Sequence, residues 1–270
     1  ILVIYLLAKE LFNKKIALIS ATLFSISAYS IRYMVMEMDQ TFTFFFFLSA
    51  YLFITNLFNK NKISILSAIF LAIAILAKAI SAMLALSFIL IYLIYYLKNK
   101  EKRPILHSKK NIERAYICIL IVIFLLTPIF VYNYLLYKEK ALTDVMFARF
   151  FNVSADFYSS IASTIQPFSL INAFKSIQVP IQTIFNYDLI ILLLSLIGLI
   201  LSLIKHRFKS LILLSLLVPV YIFITGTSLL GNHFVVFLPI IIIFSYFPIY
   251  YLNDKTKKKH ILFLVITFIF

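Results

Sequence analysis

The sequence predicts an all-α fold, a polytopic transmembrane helical bundle of about 8–9 membrane segments. Three observations predict it. Of the 270 residues, 63% are apolar and 13% charged, and the mean hydropathy is +1.04. Soluble domains carry about 25% charged residues, so a soluble core is excluded. The apolar residues form continuous runs, most close to the ~20 residues that cross a bilayer as a helix. Half-buried or barrel strands would alternate instead. The third observation is that the positive charge lies on one side of the predicted membrane.

Taken in order, Ile1 to Ala8 reads as the end of a spanning helix, and residues 9–15 as a short basic loop. Ile16 to Ile31 crosses back and delivers Arg32 to Asp39 to the other face. Thr41 to Phe58 returns, to the basic turn at 59–62. Ile63 to Leu97 is interrupted once, by Lys78. One helix of that length would measure about 52 Å, so two short helices meeting near Lys78 fit better. A basic loop at 98–114 follows, then a crossing from Tyr116 to Tyr137. Residues 138–187 form a long external loop with amphipathic stretches. Leu189 to Ile204, Leu211 to Thr225 and Val235 to Leu252 cross in turn, and Ile261 to Phe270 begins another crossing. The whole of 1–270 reads as a single transmembrane domain. With both ends inside apolar runs, it is expected to be a fragment of a longer membrane protein.

The formal charge is +15. In a soluble protein that excess would point to nucleic acid, but here sidedness accounts for it. The loops at 9–15, 59–62, 98–114, 205–209 and 253–260 hold nineteen of the 25 Lys and Arg. By the positive-inside rule that side is cytoplasmic, and the basic 98–114 loop meets anionic headgroups rather than nucleic acid. The other face is extracytoplasmic and holds Arg32 to Asp39, Lys78, the long loop and His233. The lone Cys118, inside an apolar run, supports neither a disulfide nor a metal cluster.

Arg32, Glu37 and Asp39 lie between two apolar stretches. Ionisable groups beside a membrane core face a cavity or a partner and mark a functional site by default. A polar loop between helices is the bland alternative. For Lys78 the alternative is a snorkelling helix-end lysine, and for His233 a plain interfacial histidine. If one helix ran through the segment, Arg32 and Asp39 would share a face, with Glu37 well round from them. Asp144, Arg149 and Asp156 read as a solvated or membrane-surface helix.

Such a set suits an anionic substrate. A sugar carried on a polyprenyl phosphate already has a competent leaving group, which needs charge neutralisation more than a proton. Arg, Lys or a divalent cation supplies it. The acceptor hydroxyl or amide needs a carboxylate within hydrogen-bond reach. An apolar groove between helices would hold the isoprenoid tail.

Three segments carry a family resemblance. Leu11-Phe12-Asn13-Lys14-Lys15-Ile16-Ala17 precedes Ser25-Ile26-Ser27-Ala28-Tyr29-Ser30-Ile31-Arg32, an acid, and a Phe-rich helix. Leu76-Ala77-Lys78 sits at the break between two short helices, and His233-Phe234-Val235-Val236-Phe237-Leu238-Pro239 comes late. In this order the chain resembles C-type membrane glycosyltransferases, and within them the dolichyl-phosphate-mannose protein mannosyltransferases and lipid A aminoarabinose transferases. The resemblance implies a multi-pass transferase of the cell membrane that uses a lipid-phosphate sugar donor and a protein or lipid acceptor. It implies Asp39 first and Glu37 second as the catalytic acid, with Lys78 and His233 facing the lipid-phosphate site, and Arg32 is the further substrate-binding candidate. Two departures stand out. Ser27-Ala28 replaces the family's usual Ser-Pro, and the first helix and first external loop, where the family's main catalytic acid lies, are not in this sequence. Competing readings are a polyprenyl-linked glycan ligase, polymerase or flippase, and a transporter. Only three glycines make the broken helices of a transporter unexpected.

Overall fold

The computed structural model describes residues 1–33, 37–99, 108–143, 169–227 and 231–256. Eleven α-helices and two 3-10 turns are assigned among them: α1 (Leu2–Leu11), α2 (Lys14–Ile26), α3 (Ala28–Tyr33), α4 (Glu37–Lys60), α5 (Ile65–Ala77), a 3-10 turn (Ala79–Ala82), α6 (Met83–Lys98), α7 (Lys109–Lys140), α8 (Leu170–Lys175), α9 (Gln178–Lys205), α10 (Arg207–Gly226), a second 3-10 turn (Gly231–Phe237) and α11 (Leu238–Thr256). The all-α expectation holds across these residues. Five helical stretches are long and apolar enough to cross a membrane: Gln40–Lys60, Ala79–Lys98, Lys109–Lys140, Leu170–Lys205 and Arg207–Gly226. That is fewer than the eight or nine expected. Ile65–Ala77 and Phe234–Tyr250 are apolar but shorter, and the crossing expected from Ile261 lies outside the described residues.

Local chemistry sets several boundaries. The Asn13 side chain accepts from Ile16 N at 3.0 Å and starts α2, and Ser64 accepts from Ser67 N at 3.2 Å and starts α5. These are N-caps, which satisfy helix donors that lack an intrahelical acceptor. Between α4 and α5, Asn61 takes the left-handed conformation (φ 49°), which asparagine tolerates.

Packing between helices relies on small and hydroxyl residues, as expected where lipid is as apolar as leucine. On α4 and α5, Ser49 Oγ donates to the Ser67 carbonyl at 2.7 Å and Ser67 Oγ to the Ser49 carbonyl at 2.8 Å. Between α9 and α11 the backbones touch at Gly198, where an added Cβ would lie 1.8 Å from the Phe244 carbonyl oxygen. Helix α7 stands outermost. It packs on α5 and buries only Asn111 and Asn133, leaving side chains such as Tyr116, Leu120 and Phe124 exposed to the bilayer.

Two expected crossings are built differently. Ile16 to Ile31 is broken at Ser27, which has extended backbone (φ −60°, ψ 123°). The crossing expected from Leu189 instead belongs to a helix that begins at Gln178 and bends at Asp188, where φ is −135° and ψ 52°. Neither break has a proline or glycine beside it, and both come from a contact between the two sites.

Candidate functional site

One end of the bundle gathers the sequence candidates. The 3-10 turn carrying His233 packs on α3, α4, α9, α10 and α11. Lys78 lies between α5 and the next 3-10 turn in extended conformation (φ −159°, ψ 113°). Its N–H closes α5 on the Ala74 carbonyl at 2.9 Å, and its carbonyl accepts from Ser81 N at 2.9 Å. The break expected at Lys78 is therefore present, made at a single cation with no proline or glycine. The Lys78 ammonium stands 5.6 Å from the centroid of the buried Phe42 ring, in the first turns of α4. That is within cation–π range.

Arg32 is the last-turn cation of α3, and its guanidinium carbon is 5.2 Å from the centroid of the Tyr187 ring. Tyr29 meets the same ring at 5.6 Å. Directly after Tyr187 comes Asp188, a buried carboxylate that the sequence reading passed over. It accepts from Ser27 Oγ at 2.6 Å, Ala28 N at 3.1 Å and Tyr29 N at 3.0 Å. Ser30 N donates to Ser27 Oγ at 3.0 Å and Ile31 N to the Ser27 carbonyl at 2.9 Å. Every N–H of the first turn of α3 is thus satisfied, two of them by a residue from a distant helix. The carboxylate is in turn solvated by three donors, which a buried charge requires. One signal was available in the sequence. Asp188 is the sole acid between Asp156 and Asp254, and it stands at the head of an apolar run.

Arg32 lies on α3 and Asp39 on α4, and the residues between the two helices, 34–36, lie outside the described residues, as does the shared face expected of Arg32 and Asp39. The side chains of Glu37, Asp39 and His233 lie outside what is described. Further along α4, Phe42, Thr43 and Phe46 are buried and Gln40, Thr41 and Phe44 exposed, so the helix has an inward and an outward stripe. Asp144, Arg149 and Asp156 lie outside the described residues.

The basic turns meet at the opposite end. Asn59 donates to Glu10 at 2.9 Å, the Lys98 ammonium lies 3.9 Å from the Phe208 centroid, and Lys209 lies 5.7 Å from that of Phe12. His206 sets its ring against Phe12 and Phe247, at 5.8 and 5.7 Å. Partial burial, then Lys209 and Lys205, hold its pKa below the usual histidine value. Four of the five basic segments named above are thus represented at one end, and Arg32 and Lys78 at the other.

Two cavities flank the Arg32–Lys78 end. One of about 440 Å³ lies among α1 to α4, walled by Phe24, Phe44 and Phe47 and carrying Ser30, Gln40 and Thr43. The other, of about 490 Å³, is almost wholly apolar and runs between α8, α9, α10 and α11, past Ile184, Leu217, Tyr221 and Phe237. Among the described residues no group of three or more His, Cys, Asp and Glu is placed to hold a metal ion. Lys78 and Arg32 each supply a cation at this end.

Residues 1–132 match the family model described as dolichyl-phosphate-mannose-protein mannosyltransferase. The match spans α1 to α6 and most of α7, and so includes Arg32, Glu37, Asp39 and Lys78, while Asp188 and His233 lie beyond it. No curated protein and no solved structure gives a match to this chain. The family resemblance read from the sequence is borne out by the match. Together with the apolar helices, the match makes residues 1–132 similar to a family of membrane glycosyltransferases.

Proposed function

We propose that this protein transfers a sugar from a polyprenyl- or dolichyl-phosphate donor to a protein or lipid acceptor at the extracytoplasmic face of the cell membrane. The observation that supports the reading is the packing of Lys78 against Phe42 of α4, the helix that also carries Asp39.

The chemistry follows from those groups. The acceptor oxygen forms a bond to the anomeric carbon, and the bond from that carbon to the phosphate oxygen breaks. The electron pair leaves with the polyprenyl phosphate. Lys78 and Arg32 balance the charge that grows on this leaving group, a role in which fixed cations are most effective away from water. Asp39 orients the acceptor and takes its proton, with Glu37 the second choice. His233 serves the phosphate from the 3-10 turn. The apolar cavity between α9 and α10 has a volume usual for a ligand site and accepts the first isoprene units.

The test uses full-length protein in liposomes with a radiolabelled polyprenyl-phosphate sugar. Transfer that is lost in Lys78→Ala and Asp39→Asn supports the reading. Wild-type rates in both variants remove these residues from the site, and no transfer by the unaltered protein from any such donor overturns the function.

A further inference from the structure

We propose that Asp188 is a positioning residue: by holding the first turn of α3 it fixes where Arg32 stands, and so ties the segment ending at Tyr187 to the phosphate site. The proposal rests on the glycosyl-transfer reading for its consequence, but not for its geometry.

Asp188 is 8% exposed, Ser27 and Tyr29 fully buried, while Arg32, one turn further along α3, is exposed. The first turn of α3 is held from outside the helix. At the first turn the Asp188 carboxylate spans both oxygens: Oδ1 takes Ala28 N, and Oδ2 takes Tyr29 N and Ser27 Oγ. Charge-assisted bonds of this kind are about twice as strong as neutral ones. One turn on, the Arg32 guanidinium lies over Tyr187, the neighbour of Asp188. One dipeptide, Tyr187-Asp188, therefore touches both the first turn of α3 and its Arg32.

The replacement of the family's Ser-Pro by Ser27-Ala28 fits this arrangement. Proline at the first helical position has no N–H to give, whereas Ala28 donates its N–H to Oδ1. The same detail supplies a rescue test. In Asp188→Asn the amide oxygen keeps Ser27 and Tyr29, but the amide NH₂ faces the Ala28 N–H, donor against donor. Ala28→Pro removes that N–H, and the extended Ser27 before it is already in the conformation proline requires.

The experiment has two arms on full-length protein. In the first, nitroxides at Ile31 and Ile181, both exposed, report the distance between α3 and α9. The distribution is expected to broaden in Asp188→Ala and in Asp188→Asn, and to narrow again in Asp188→Asn combined with Ala28→Pro. An unchanged distribution in Asp188→Ala overturns the proposal whatever the enzyme does. In the second arm, KM for the labelled donor is expected to rise in Asp188→Ala by up to ~10²-fold, the loss that a misplacement of about 1 Å can cause. Arg32→Gln gives a similar rise, and the double variant is no worse than the poorer single one. Losses that multiply, or a fall in kcat alone, show that Asp188 acts on stability and not through Arg32. If the unaltered protein transfers nothing, the functional reading falls, and the nitroxide arm still decides the role of Asp188.

Discussion

Ser27 Oγ donates to Asp188 Oδ2 over 2.6 Å, joining two helix breaks that lie 161 residues apart. Each break explains the other. Asp188 leaves helical geometry, and its carboxylate caps the helix that Ser27 begins. Ser27→Ala removes one donor to the carboxylate and the acceptor for Ser30 N. The expected cost is roughly 1–3 kcal/mol, measured by thermal or denaturant unfolding in detergent. Ala28→Pro in the unaltered background keeps Ser27 and Tyr29 on the carboxylate and is expected to cost less than Ser27→Ala. The reverse order would mean that the Ala28 N–H dominates the cap.

Gly198 leaves no room for a side chain. A Cβ there meets the Phe244 carbonyl oxygen at 1.8 Å and its carbon at 2.7 Å, with Pro248 Cδ at 3.0 Å. Two of the three are backbone atoms, so α9 and α11 must separate. Gly198→Ala is expected to destabilise by at least the ~1–3 kcal/mol usual for overpacking. A midpoint equal to that of the unaltered protein would show that the helices slide apart without loss.

The reciprocal Ser49–Ser67 pair couples α4 to α5, and hence the helix of Asp39 to the helix that ends at Lys78. Polar contacts between membrane helices average about 0.6 kcal/mol. Each hydroxyl donates to the other residue's backbone carbonyl, which alanine keeps, so Ser49→Ala and Ser67→Ala each remove one bond and are each expected to cost about 0.6 kcal/mol in unfolding in detergent. No loss in either variant would contradict the pairing.

His206 makes stability depend on pH. Its folded pKa lies below the usual histidine value, by partial burial first and the neighbouring lysines second. The unfolded chain therefore binds the proton first, and stability falls as pH drops through about 6.5. The fall levels off below the folded pKa, where both states are protonated. Comparing thermal midpoints at pH 7.5 and 5.5, His206→Gln should show the smaller difference. An equal difference assigns the effect to other groups.

Much of this architecture was legible in the sequence because bilayer chemistry is coarse. Apolar length, the one-sided basic turns and the lone Lys78 in a long apolar run each follow from solvation costs that act locally. The breaks at Ser27 and Asp188 were not legible. Ser27-Ala28 carries no helix-breaking residue, and the donor set of Asp188 comes from elsewhere in the chain. The shared face of Arg32 and Asp39 depends on one helix running through residues 34–36, which lie outside the described residues. The choice of Asp39 over Glu37 comes from the family resemblance.

That choice is also where the account is most exposed. Transfer from a labelled polyprenyl-phosphate sugar by full-length protein, with Asp39→Asn and Glu37→Gln assayed in parallel, tests it directly. The account predicts at least a ~10²-fold loss for Asp39→Asn, the scale of a missing general base, with Glu37→Gln within a few-fold of the unaltered protein. Full activity in Asp39→Asn, or the larger loss in Glu37→Gln, would contradict it.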